Sequence, residues 1–300
     1  MKRVVLASLV VSMVGLAACS PTKEPEPGIP AQAQTKPGPP YAEAAAKYNA
    51  NASRLGRLFA PVTVRIRYSD KDGKEHNEQG EGRLQIVQPD HVAMSIGKVG
   101  ETFFWLGSDS QRYWWIDLSG KPRAMFAGVH ENYEKSQARR IGVVVAPLDL
   151  VRLLGIVQVG GEGQTQLSAD GKRVGIVTQL DGGARQRIWV DPATYVPISI
   201  ELYNAAGECE ILAQLRDPDG VELQGTAFKP RVNKHVEITH QASGSLITLD
   251  LSEMQDGVGR MVPDAFDPQA LVKHLRVDKI YDLDAPPASS PPKPTSTPAP

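Results

Sequence analysis

Gly82-Arg-Leu-Gln-Ile-Val-Gln-Pro89 runs into His91-Val-Ala-Met-Ser-Ile96, then Glu101-Thr-Phe-Phe-Trp-Leu106, then Arg112-Tyr-Trp-Trp-Ile-Asp-Leu118. These short apolar or alternating runs are separated by Pro89-Asp90, by Gly97 to Gly100 and by Gly107 to Ser110. β-Favouring runs of about four to eight residues, punctuated by Gly, Pro, Asp and Ser, predict an antiparallel meander. The stretch holds three of the chain's four tryptophans, Trp105, Trp114 and Trp115, beside Phe103 and Phe104. Alternation puts aromatic rings on both faces of this sheet, which a sheet with one wet face does not need. Either something packs over the second face, or that face binds something apolar.

On the N-terminal side, Val62-Thr-Val-Arg-Ile-Arg-Tyr68 alternates, with Val62, Val64, Ile66 and Tyr68 on one face, and Asp72-Gly73 marks a hairpin turn. Tyr41 to Ala60 reads as a helix, from the spacing of Tyr48, Ala52, Leu55 and Phe59, and Pro61 ends it. On the C-terminal side, Ala127 to Gly142 is a charged loop or short helix. Pro147 to Gly155 is a compact leucine-rich helix with Pro near its start and Gly at its stop. Strands follow over Thr165–Leu167, Arg173–Gln179, Gln186–Asp191, Val196–Tyr203, Gly207–Leu215, Lys234–His240 and Leu246–Leu251, with turns at Asp217–Gly220 and Ser243–Ser245. Phe266 to Leu275 is a closing helix or loop. The fold class predicted is mainly antiparallel β, around a dozen strands, with minor helix.

Two parts of the chain resemble one family. Gly82-x-Leu-x-x-x-x-Pro89 with its aromatic hairpins, and Trp189-Val-Asp-Pro followed by Pro197-Ile-Ser-Ile-Glu-Leu, look like the Lol-type (LolA/LolB-like) outer-membrane lipoprotein carriers and receptors. The resemblance implies an incomplete, strongly curved β-barrel over residues 41–283, with helices over its open mouth, that shields acyl chains. It also implies a binding role: candidate ligand contacts are Leu84, Ile86, Phe103, Trp105 and Trp114 on the meander, and Leu150 and Leu153 on the leucine-rich helix. Both helices have a plainer reading as ordinary core packed on a sheet. In the soluble carriers an arginine commonly precedes the motif's proline and is tied to holding and releasing cargo; here Gln88 stands there.

The ends of the chain carry a different signal. Lys2-Arg3, an apolar Val4 to Leu16 and the ending Leu16-Ala-Ala-Cys19 make residues 1–18 a secretory signal, too short to span a bilayer. The ending resembles the bacterial lipoprotein signal, which implies that Cys19 becomes an acylated N-terminus; the alternative is an ordinary signal peptide with Cys19 incidental. Each buried methylene of such an anchor contributes about 0.8 kcal/mol. By resemblance to sorted lipoproteins, Ser20 after the cysteine implies the outer membrane, with the domain facing the periplasm. Residues 19–40 are poor in large apolar groups and read as a disordered tether, and the Pro-rich residues 284–300 as a disordered tail.

With Cys19 acylated, Cys209 has no disulfide partner and reads as a small core residue. Losing residues 1–18 removes Lys2 and Arg3 and takes the net charge from −1 to −3. That balance argues against nucleic-acid binding. The sequence shows no nucleophile elbow, phosphate loop or dinucleotide fingerprint, so no enzyme and no cofactor are expected. The best metal candidate, His235, Glu237 and His240, fails on strand periodicity, because His240 points away from the other two.

Two functions follow. The first is a lipid-anchored module binding acyl chains of lipoproteins or lipids in a hydrophobic groove. The second is a structural or regulatory envelope lipoprotein that acts through a protein partner, its groove filled by its own side chains.

Overall fold

A computed structural model of the chain describes residues 36–285, apart from 70–71, 137 and 139–144. The described residues form one compact unit. The expected signal peptide, Cys19, the expected tether up to residue 35 and the expected tail from residue 286 lie outside the described residues.

Among the described residues, fifteen strands build one sheet. The first, β1 (Lys36–Pro37), falls within the stretch expected to be tether. It is followed by β2 (Arg57–Ser69), β3 (Glu75–Val87), β4 (His91–Lys98), β5 (Glu101–Ser108), β6 (Arg112–Asp117) and β7 (Ala124–Val129). The second half supplies β8 (Gly163–Leu167), β9 (Val174–Gln179), β10 (Arg185–Val190), β11 (Pro197–Tyr203), β12 (Cys209–Gly220), β13 (Arg231–His240), β14 (Ser245–Leu251) and β15 (Lys279–Asp282). The order across the sheet is β1-β8-β9-β10-β11-β12-β13-β14-β2-β3-β4-β5-β6-β7-β15. Each pairing is antiparallel except β15 on β7. The sheet is strongly curved and does not close, giving the incomplete barrel the resemblance implied.

The long β2 and β3, paired from Arg57↔Val87 to Ser69↔Glu75, join the two halves. Leu58, Ala60, Val62 and Val64 are each no more than 3% exposed. This period-2 pattern places them on the inner face. It also explains why the expected helix over Tyr41–Ala60 is too long. Helix α1 spans only Tyr41–Ala52, with Ser53 as its C-cap. The alternation that begins at Leu58 wins over the helical spacing once the strand can bury every second residue. Pro61 lies inside β2, where its carbonyl accepts from the Ser252 amide at 3.0 Å. The β14 pairing starts only at Val62↔Leu251, so no ladder bond needs the missing N–H.

Asp217–Gly220, expected as a turn, belongs to β12. Asp217 takes a left-handed φ of 59° and the pairing resumes at Pro218↔Asn233.

Two hydrophobic clusters occupy the two faces. The large inner one gathers α1 (Ala44, Ala45, Tyr48, Ala52), helix α2 (Pro147–Leu153) and the inward residues of most strands. The second holds Trp114, Ile116, Met125 and Leu271, with Trp105, Leu118 and Leu275 against them. Leu271 comes from helix α3 (Pro268–Leu275), whose start is capped by Asp267 accepting from the Gln269 and Ala270 amides. Aromatics therefore sit on both faces of the meander because α3 packs over the second one.

Candidate functional site

The inner helices are fixed to one another before they meet the sheet. The Tyr48 hydroxyl lies 3.0 and 2.9 Å from the carbonyls of Gly155 and Val157. Asn49 donates to the Val159 carbonyl at 2.7 Å and accepts from the Val159 amide at 2.9 Å. Burial pushes the Tyr48 phenol well above its usual range, so it stays a neutral donor. Gly155, at φ 70°, permits this junction: a Cβ there would lie 2.7 Å from the Pro197 ring.

Gln88 completes the junction. Its side-chain amide donates to the carbonyls of Leu55 and Ile156, each at 2.7 Å, and its backbone amide to Gly56 at 3.0 Å. One neutral side chain in the β3–β4 turn thus holds the chain segments that follow α1 and α2. The Gln88-Pro89 peptide is cis.

Beyond this plug the described residues leave the inner face unfilled. A cavity of about 950 Å³ lies between α2 and the sheet. Its walls include Val64 and Ile66 of β2, Met94 and Ile96 of β4, Phe104 and Leu106 of β5, and Leu150 of α2. The opposite wall is Leu202, Ile211, Ile238, Ile247 and Leu249, one inward residue or two from each of β11 to β14. Ser69, Asp181, Asn204, Glu210, His240 and Ser243 supply its polar border. Ligand pockets run from about 300 to 1,000 Å³, with mostly apolar linings and a few polar groups. The chemistry available is therefore apolar enclosure with hydrogen bonding at the border.

The seven expected ligand contacts separate into three groups. Leu150 lines the cavity. Leu84, Ile86 and Leu153 are fully buried in the inner cluster, and Phe103 is half-buried against it; none of the four borders the cavity. Trp105 and Trp114 lie on the other face, under α3. The β11 to β14 wall was missed. Its signal was in the sequence as the alternation Ile247, Leu249 and Val236, Ile238, but alternation says which residues share a face and not which face is the inner one.

Among the described residues no group of three His, Cys, Asp or Glu is placed to hold a metal ion. His235 stands 2.7 Å from Asp250 and 3.2 Å from Glu237, whereas His240 bonds Ser243 at the cavity border. The two histidines face opposite sides of β13, as strand periodicity requires. The hydrogen bond that His235 donates to the Asp250 carboxylate raises its pKa above the usual value. Burial pushes the Cys209 thiol up to about 11.

No family model matches the chain, and no curated protein matches it. Solved structures do. A domain named for outer-membrane lipoprotein sorting from Vibrio parahaemolyticus superposes with a TM-score of 0.52 at 14% identity, over 76% of this chain and 97% of the other. A DUF1329 family protein from Desulfovibrio piger gives a TM-score of 0.50 at 12% identity, over 78% and 100%. A LolA superfamily protein from Nitrosomonas europaea is also similar, at 0.48 and 16% identity, over 76% and 96%. The fold is the LolA-like incomplete barrel.

Proposed function

We propose that the chain is a lipid-anchored, periplasm-facing lipoprotein that holds acyl chains in its trough, in outer-membrane lipoprotein sorting or envelope maintenance. The observation that carries this reading is the cavity of about 950 Å³ with walls of Val, Ile, Leu, Met and Phe. Transfer of a hydrocarbon tail into it contributes about 0.8 kcal/mol per buried methylene, so a long chain is held and a short one is not. The anchor is acyl groups on Cys19, and residues 20–35 connect it to β1. Native mass spectrometry of the protein extracted from its own membrane tests both parts. The expected result is an N-terminus at Cys19 carrying acyl mass and a co-purifying lipid; an unmodified N-terminus removes the anchor, and a bare folded chain counts against the cargo.

A second reading, work through a protein partner, is favoured by the end of the sheet. Ile280 is 61% exposed and Tyr281 44% exposed on β15, whose outer edge pairs with no strand among the described residues. Such an edge accepts an added strand. Cross-linking in the envelope that captures lipid and no protein would remove this reading.

A further inference from the structure

The outward face of β9 to β11 carries a feature that meets the cavity only at Tyr203. On β10, Ile188 and Val190 point into the core, so Arg185, Arg187 and Trp189 point out. Arg173, just before β9, and Arg187 lie over the Trp189 ring at 5.5 and 5.1 Å. Arg185 and Arg187 lie over Tyr203 of β11 at 4.6 and 5.2 Å. Trp189 is only 8% exposed, so guanidinium groups rather than indole meet the solvent.

One carboxylate serves this group. Glu201 accepts from Arg187, from the Trp189 indole at 3.1 Å and from the Tyr203 hydroxyl. Arg173 and Arg185 form no ion pair among the described residues. Asp170 lies near Arg173, but its carboxylate is occupied by the Ser168 hydroxyl and the Lys172 amide. Arg187 spends its Nε and Nη2 on Glu201 and the Tyr203 hydroxyl, which leaves the guanidiniums of Arg173 and Arg185 as the groups able to bind phosphate oxygens in a fork.

We propose that this arginine-on-aromatic face of β9 to β11 docks on the phosphate headgroups of an anionic phospholipid bilayer. Charge complementarity is the first argument: three guanidiniums outnumber the two carboxylates beside them, Glu201 and Asp170. The position of the chain's lead-in is the second, and it uses the lipid-anchor reading only to choose the membrane among anionic partners. Lys36 begins β1, which reaches β10 through β8 and β9, roughly 15 Å across the sheet at ~4.8 Å per strand. Residues 20–35 span at most about 60 Å between Cys19 and Lys36. An acylated Cys19 therefore allows this end of the sheet to reach the bilayer surface.

The test is vesicle flotation of the chain from residue 20 onward, which carries the whole sheet and cannot be acylated. Vesicles of phosphatidylcholine alone are compared with vesicles containing phosphatidylglycerol. Binding is expected only to the phosphatidylglycerol vesicles and is expected to fall with added salt. The double variant R173Q/R185Q leaves the Arg187–Glu201 pair in place; it is expected to melt like the parent and to bind roughly 30-fold more weakly, about fivefold per arginine. Equal binding to both vesicles, no binding to either, or an unchanged affinity in the folded double variant would overturn the proposal. None of these outcomes touches the cavity, whose cargo is read by mass.

Discussion

Gln88 shows how much one side chain decides. Its amide reaches two carbonyls at 2.7 Å, one after each inner helix. Gln88→Leu keeps the size and removes the donor, so these partly buried acceptors lose their partner. We expect destabilisation of about 1–3 kcal/mol in urea unfolding. An unchanged midpoint would show that water replaces the amide. The sequence marks this position by resemblance, as the site of an arginine in the soluble carriers. It does not say what glutamine bonds to, because the partners lie 33 and 68 residues away in the chain. His235 is a second case. Its pKa is raised by Asp250, so its contribution to stability is present below the unfolded value near 6.5 and lost as pH rises through the folded one. The melting-temperature difference between parent and His235→Gln should be larger at pH 5.5 than at pH 8. The reverse order would mean that His235 is held neutral. Cys209, with its thiol near 11 against an ordinary 9.0, should alkylate about 100-fold more slowly in the native chain than in the unfolded one at pH 8. Equal rates would mean that its strand opens freely.

At the scale of elements, the meander was legible because its strands carry apolar or alternating runs and its turns carry Gly, Pro and Asp. The sequence also posed the right question about its second face, and α3 answers it. What could not be read was which tryptophans that helix covers. Trp114 and Trp115 are adjacent, equally apolar and on opposite faces, one in each cluster. Leu271→Ala on α3 should cost about 2–4 kcal/mol and shift tryptophan emission to the red as Trp114 and Trp105 gain water. An unshifted spectrum would mean that α3 is not their cover. The helix–strand border after α1 was misread for a physical reason. Tyr48, Ala52, Leu55 and Phe59 fit a helix, but Leu58, Ala60 and Val62 fit a strand equally well, and only the pairing with β3 decides between them. The strands β7 and β15 were missed because Ala124–Val129 and Lys279–Asp282 alternate weakly and pair with each other across 155 residues.

For the whole molecule, curvature separates two uses of one sheet. The inner face is partly plugged by two helices and otherwise walls a cavity, while the outer face carries α3 at one end and an arginine-rich surface towards the other. The central claim is that the cavity takes a hydrocarbon tail. Ile247 is the residue to ask, because it lies on the cavity wall, half-buried, on a strand paired from both sides. Titration of the unacylated chain with a fluorescent long-chain acyl ester, beside its Ile247→Trp variant, measures the claim directly. The account predicts saturable binding by the parent and a loss of about tenfold or more, ~1.4 kcal/mol, in a variant that melts normally. Equal affinity in the two, or no saturable binding by the parent, would contradict it.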